Sequence, residues 1–223
     1  VVGLLALFLF KCERLAYRTS ATFDEAGHLG AGLSYWRNGD FRITTWNLFL
    51  MQRLLTLPLA FDSSPFPSIA EQDRLKRDPI AVGETYLFKM GLDHRSLLGR
   101  ARMMNAAFGA VLGLLIFAWT RKVGGILAGV LALALYVLSP AVIAIASLVT
   151  IDVGAALWLN AAVWAYAWFL HAPSWRRAVL AGLVLGALLL TKFSALAYFA
   201  LAGAIFLIGL ALPNASWGNT AAT

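Results

Sequence analysis

Cysteine is all but missing from this sequence: Cys12 is the single one in 223 residues. One thiol can form no internal disulfide and cannot found a cysteine-rich metal centre. Its ordinary reading is a residue near the end of a helix. Charge is also scarce, at 13% of the chain, against about 25% in an average soluble domain. Acidic residues desert one whole region. All but one of the eleven lie between Glu13 and Asp93, and beyond them only Asp152 remains. No segment sustains the period-two alternation of a half-buried strand, and no internal repeat is present, so a β-fold and a repeat solenoid are both excluded.

Apolar residues fill the space instead. They make up 61% of the chain, and the mean hydropathy is +0.76. This is membrane composition. The formal charge of +7 would suggest nucleic acid in a soluble domain. Here the basic residues are spread along a loop and at segment ends, which fits a membrane surface or an anionic headgroup. No nucleic-acid partner is expected.

The hydrophobic pattern predicts an all-α polytopic membrane protein of about six transmembrane helices. Val1–Phe10 is too short to span, since about 20 residues are needed, and no small-residue cleavage site follows it. Residues 1–10 therefore read as the end of a first transmembrane helix whose beginning is missing, and the chain as an N-terminal fragment. Residues 11–101 form a long outward loop with juxtamembrane helices. Residues 102–213 form a block of five helices, with spans at 103–120, 123–139, 153–170, 179–191 and 193–212. Residues 214–223 are a truncated tail. Arg121-Lys122 and Arg176-Arg177 occupy the two short connections that basic charge holds in the cytoplasm. The long loop, the 140–152 turn and the turn at Lys192 then face outward. Asp24, Glu25, His28, Asp152 and Lys192 fall on one side of the membrane.

Within the loop, Ala26, Leu29, Leu33 and Trp36 recur at helical spacing, predicting an amphipathic helix that ends at the turn Asn38-Gly39-Asp40. A second apolar run, 48–57, precedes Pro58 and reads as an interfacial helix. Residues 62–95 are polar, contain Pro65, Pro67 and Pro79, and carry no recognisable chemistry beyond a short helix at 84–90.

The stretch Thr22-Phe23-Asp24-Glu25 carries two readings. It has the spacing of a capping box, in which Thr22 and Glu25 satisfy each other's amides, and carboxylates in a first turn suit the helix dipole. Alternatively, Asp24 is a general base or a cation ligand. His28, one turn on, shares its face. An Asp–His pair at i, i+4 supplies two ligands for a divalent metal, and two ligands are not a site. Asp152 either caps the next helix or acts in function, the default hypothesis for an ionisable residue at membrane depth. Lys192 either snorkels at a helix end, pairs with Asp152, or holds a lipid phosphate.

Three stretches together resemble the GT-C glycosyltransferases, in particular the family 39-like branch that contains protein O-mannosyltransferases and the bacterial aminoarabinose transferase. They are "FDEAGHLGAGLSYWRNGDFRI", with its Asp-Glu pair and Gly-Asp turn; "LSPAVIAIASLVTIDVGAALW", with a further Asp; and "GLVLGALLLTKFSAL", a Gly-rich span ending in Thr-Lys. One departure stands out. Many relatives have His-Pro-Pro-Leu near the second loop helix, where this chain has Trp46-Asn47-Leu48-Phe49-Leu50.

The resemblance implies an inverting hexosyl- or pentosyltransferase. It would move a sugar from a polyprenyl-phosphate carrier to a hydroxyl or phosphate of a lipid, glycan or protein acceptor. Asp24 would be the catalytic carboxylate, Glu25 and Asp152 would position the acceptor or a cation, and Lys192, Asn47 and Arg53 would bind the lipid phosphate. Members of that branch differ in metal use, so no fixed cofactor is implied; Asp24 and His28 are the candidate ligands of a divalent metal. The implied location is a bacterial inner membrane, with the active site facing the periplasm. Half of a transporter, or a non-catalytic membrane scaffold, is the competing reading.

Overall fold

A computed structural model of the chain describes residues 1–43 and 48–197, and over these it is entirely helical. Helix α1 (Val2–Ala16) runs past Phe10, where the sequence suggested an end. Phe8, Cys12 and Ala16 form a buried stripe at four-residue spacing, so the packed face extends beyond the apolar run. Cys12 is a core residue beside the Ile143 carbonyl.

The expected spans 103–120 and 123–139 are two limbs of one element, α7 (His94–Leu138), broken at Gly125, whose φ is +79°. The limbs lie antiparallel. Tyr136 Oη donates to the Gly109 carbonyl at 2.8 Å. Gly113 leaves room for Leu133 and Tyr136, and Gly129 leaves room for Phe117. Only glycine readily adopts the left-handed turn at the tip. After the short α8 (Pro140–Ala146) come α9 (Asp152–His171) and α10 (Trp175–Leu189).

Helices α7 and α9 are long and apolar enough to cross a membrane. Helices α1 and α10 have 15 residues each, short of the usual 20 or so. The expected span 193–212 lies largely outside the described residues, so these do not reach six crossings. Leu127, Leu135 and Leu183 are 69%, 75% and 67% exposed. Such a surface suits hydrocarbon better than water.

The basic pairs and the carboxylates occupy opposite ends of this bundle. Lys122 shares an apolar groove with Trp164, Trp168 and Leu180, at the end where α9 passes into α10. Asp152 and Lys192 meet at the other end.

The loop folds into a helical cap. Helix α2 (Phe23–Arg37) ends where the Asn38-Gly39 turn predicts, with Gly39 at φ +63°. It is not the one-sided amphipathic helix expected: every residue from Glu25 to Tyr35 is buried. Glycine is the reason. A Cβ on Gly30 would lie 2.2 Å from the Pro79 carbonyl oxygen, and one on Gly83 would lie 1.8 Å from the Ala26 carbonyl oxygen. Helix α6 (Pro79–Glu84) thus approaches α2 backbone to backbone.

The run 48–57 is two helices, α3 (Phe49–Leu55) and α4 (Leu57–Ala60). Thr56 stands at the break, with Oγ1 donating to the Gln52 carbonyl at 2.9 Å, and Pro58 lies in the first turn of α4. Met51 and Leu55 are fully buried, facing the protein core. Residues 62–95 hold α5 (Ile69–Arg74), α6 and a π-helical turn, Thr85–Lys89. Their caps are Ser68, which accepts from the Glu71 amide, and Asp78, which accepts from the Ile80 amide.

Candidate functional site

Glu25 anchors the cap to the bundle. Its carboxylate is completely buried against Arg102 of α7, with Nε–Oε1 and Nη2–Oε2 contacts both at 2.7 Å. It also accepts from the Thr22 amide at 2.8 Å, the Thr22 hydroxyl at 3.1 Å and the Val149 amide at 2.8 Å. The predicted capping box therefore forms, and Glu25 reaches well beyond it. Burial pushes this carboxyl up, but Arg102, the Thr22 and Val149 amides together hold it below its ordinary value. Arg102 spends its remaining donors on the carbonyls of Ala16, Thr19 and Ser20. One fork–fork pair thus joins the end of α1, the start of α2, α7 and the turn before α9.

Asp24, the next residue back along α2, is exposed. One turn on, His28 is buried and takes part in a polar chain absent from the sequence reading. Tyr35 Oη donates to Gln52 Oε1 at 3.0 Å, and Gln52 Nε2 lies 3.2 Å from His28 Nδ1. Gln52 and Tyr35 are themselves buried. Burial holds His28 below its ordinary pKa, against the pull of Asp24, Asp152 and Glu25 and with the help of Lys192. Asp24 lies one turn before this ring on α2, and α3 reaches the ring through Gln52. Burial also pushes the Tyr35 phenol above its usual range.

Asp152 opens α9 and pairs with Lys192 just past α10, Oδ1 to Nζ at 2.6 Å. Both side chains keep substantial exposure, 54% and 38%. Two contacts place α3 beside this pair. The Leu50 amide donates to the Leu190 carbonyl at 3.2 Å, and Met51 fills the space over Gly154.

Arg53 does not join this cluster. Its guanidinium lies over the Trp36 ring, 4.1 Å from the centroid, and its Nε has no hydrogen-bond partner among the described residues. Trp36 is about 18 Å along α2 from Asp24 at helical rise. Asn47 lies outside the described residues. Among the described residues no group of three or more His, Cys, Asp or Glu side chains is gathered as for a metal. Asp24 and His28 alone supply two ligands, too few for a divalent centre.

Arg102, Gln52 and Tyr35 escaped the sequence reading. For Arg102 a signal existed, because an arginine so close to an apolar span needs a partner. Gln52 and Tyr35 gave none, since their roles depend on how α2 and α3 pack.

Comparison with known proteins gives one match. The family described as dolichyl-phosphate-mannose-protein mannosyltransferase matches residues 98–221, more than half of the chain. No curated protein and no solved structure matches.

Proposed function

The chain belongs to the dolichyl-phosphate-mannose-protein mannosyltransferase family, glycosyltransferases of the GT-C kind, and from that premise we propose that it carries the acid–base end of a sugar transfer from a polyprenyl-phosphate carrier. The observation that supports this most is local. An exposed Asp24 opens the helix that carries His28, its first turn fixed by the buried Glu25–Arg102 pair, and α3 links that helix, through Gln52 on His28, to the Asp152–Lys192 end, through Leu50 on Leu190 and Met51 on Gly154.

In this reading Asp24 takes the proton of the acceptor hydroxyl. The acceptor oxygen forms a bond to the anomeric carbon as the bond from that carbon to the phosphate oxygen breaks. The electron pair leaves on the lipid phosphate, and the configuration inverts. Lys192 stabilises the charge developing on that phosphate, as preorganised cations do. Asp152 holds Lys192 in place and faces the acceptor. Glu25 is a positioning residue, since its oxygens are spent on Arg102, Thr22 and Val149. Arg53, held over Trp36, meets the lipid further along α2.

The proposed setting is a bundle of about six crossings in a bacterial inner membrane, with the loop 11–101 and the cluster outside. Arg121-Lys122 and Arg176-Arg177 then lie in the cytoplasm. A transport pathway would need polar groups lined through the bilayer. The groove between α7, α9 and α10 is apolar apart from Lys122, and the Asn105 amide nitrogen is committed to the Ile145 and Leu148 carbonyls.

The test supplies membranes carrying the full-length gene product with labelled polyprenyl-phosphate sugars, mannose first. Labelled lipid, glycan or protein is expected. No transfer from any such donor, with donor and protein both intact, overturns the reading.

A further inference from the structure

A histidine one helical turn from a carboxylate is a usual candidate for a general base, yet the contacts of His28 point to a different use. The amide of Gln52 decides it. Its Oε1 already accepts from Tyr35 Oη at 3.0 Å, so the edge that meets His28 Nδ1 at 3.2 Å is the NH2 group. An amide nitrogen donates and does not accept. Nδ1 must therefore be the bare, accepting nitrogen. An imidazolium, with protons on both nitrogens, would set donor against donor. In this arrangement a neutral ring carries its one proton on Nε2, away from Gln52. The tautomer of a histidine is set by the bond its other nitrogen makes, and here the setting group is itself buried and held by Tyr35.

We propose that His28 is a locked hydrogen-bond donor of the Asp24–Asp152 cluster, presenting Nε2–H to an oxygen of the bound sugar or phosphate, and that Gln52 and Tyr35 are the positioning residues that deny it the role of base. Gln52 of α3 touches the ring, and the charges that act on it are those of Asp24 and Glu25 from α2, Asp152 from α9 and Lys192 after α10. The base in the cluster is then a carboxylate, and Asp24 is the exposed one on the same helix. The use made of the donor rests on the transferase reading. The tautomer does not, because it is a property of the folded chain.

Two measurements separate these. Nitrogen-15 spectra of histidine-labelled full-length protein in detergent, with the His28 signals assigned by their loss in His28→Gln, report which ring nitrogen carries the proton. The expected result near neutral pH is a protonated Nε2 and a bare Nδ1. In Gln52→Glu the new carboxylate can only accept, so the proton should move to Nδ1 or the ring should become doubly protonated. A parent protein with protonated Nδ1 overturns the proposal, whether or not the Gln52 variant folds.

The second measurement is transfer from polyprenyl-phosphate mannose. His28→Gln places an amide N–H near the Nε2 position and should keep turnover within about tenfold. His28→Ala should lose about 10²-fold, as for loss of one preorganised donor. Equal, severe loss in both makes the ring the base and sinks the proposal. Absence of transfer by the parent counts against the transferase reading, and the spectra still decide the tautomer.

Discussion

Lys192 Nζ lies 2.6 Å from Asp152 Oδ1 across 40 residues of sequence, joining the start of α9 to the residues that follow α10. Both partners remain in contact with solvent. Exposed pairs of this kind contribute about 0–1 kcal/mol, too little to explain the pair as a brace. The proposed role of Lys192 at the donor phosphate accounts for the pair instead.

Lys192→Ala should therefore leave the melting temperature in detergent nearly unchanged. It should lower turnover with a polyprenyl-phosphate sugar by about 10²-fold, the scale for one group that stabilises developing charge. Lys192→Arg should recover part of that. A large fall in thermal stability with normal turnover per folded molecule would return the pair to a structural role.

The Glu25–Arg102 pair predicts the opposite pattern. Both side chains are buried, at 0% and 1% exposure, and removing one partner leaves a buried charge alone. The expected cost is about 3–5 kcal/mol for Glu25→Gln. Replacing both, as in Glu25→Leu with Arg102→Met, should recover part of it, though Ala16, Thr19 and Ser20 would still lose their donor. The pair also sets a pH dependence. The folded pKa of Glu25 is lowered, so its contribution is complete above the unfolded value, about 4.3. It is lost as pH falls through the lower folded value. Unfolding curves in detergent across the acid range should show this loss in the parent and not in Glu25→Gln.

The start of α2 was legible because a capping box, a helical apolar spacing and an Asn-Gly stop all agree locally. The joining of Asp152 to Lys192 was one of three readings the sequence left open for Lys192. What stayed hidden depends on tertiary approach. Helix α2 reads as amphipathic only while its glycines are taken as gaps; they are contact surfaces, and α6 occupies them. Helices α5 and α6 were hidden by prolines. Pro79 starts α6 as a first-turn residue, where its missing N–H costs nothing. Gln52 looks like one polar residue in an apolar run, and its meaning appears only when α3 lies along α2.

The glycine contacts give a direct test of that packing. Gly83→Ala would drive a methyl group into the Ala26 backbone, whose carbonyl oxygen would be 1.8 Å away, so one backbone must move. Folded yield should fall sharply, with Gly30→Ala behaving alike. Gly182→Ala, on α10, meets nothing within 4 Å, and should be neutral or slightly stabilising, because alanine favours helix by about 1 kcal/mol over glycine. Equal yields from Gly83→Ala and Gly182→Ala would contradict the close approach of α6 to α2.

The last prediction concerns Asp24 and the cap beneath it. Thr22 and Glu25 fix the first turn of α2, and Asp24, lying between them, stays exposed. Cap and reactive group are then two functions of one tetrapeptide, and substitution can part them. Asp24→Asn keeps the shape of the side chain but cannot take a proton. Loss of a general base costs about 10²–10⁴-fold in rate, so turnover in the full-length protein should almost vanish while expression and donor binding stay near normal. Thr22→Ala removes one hydroxyl from the Glu25 cluster and should cost about 1 kcal/mol of stability, with turnover per folded molecule largely kept. Steady-state rates, donor titration and thermal unfolding on the same preparations separate the two. If Asp24→Asn transfers sugar at the parent rate, Asp24 serves only the helix dipole, and the base must be sought at Asp152.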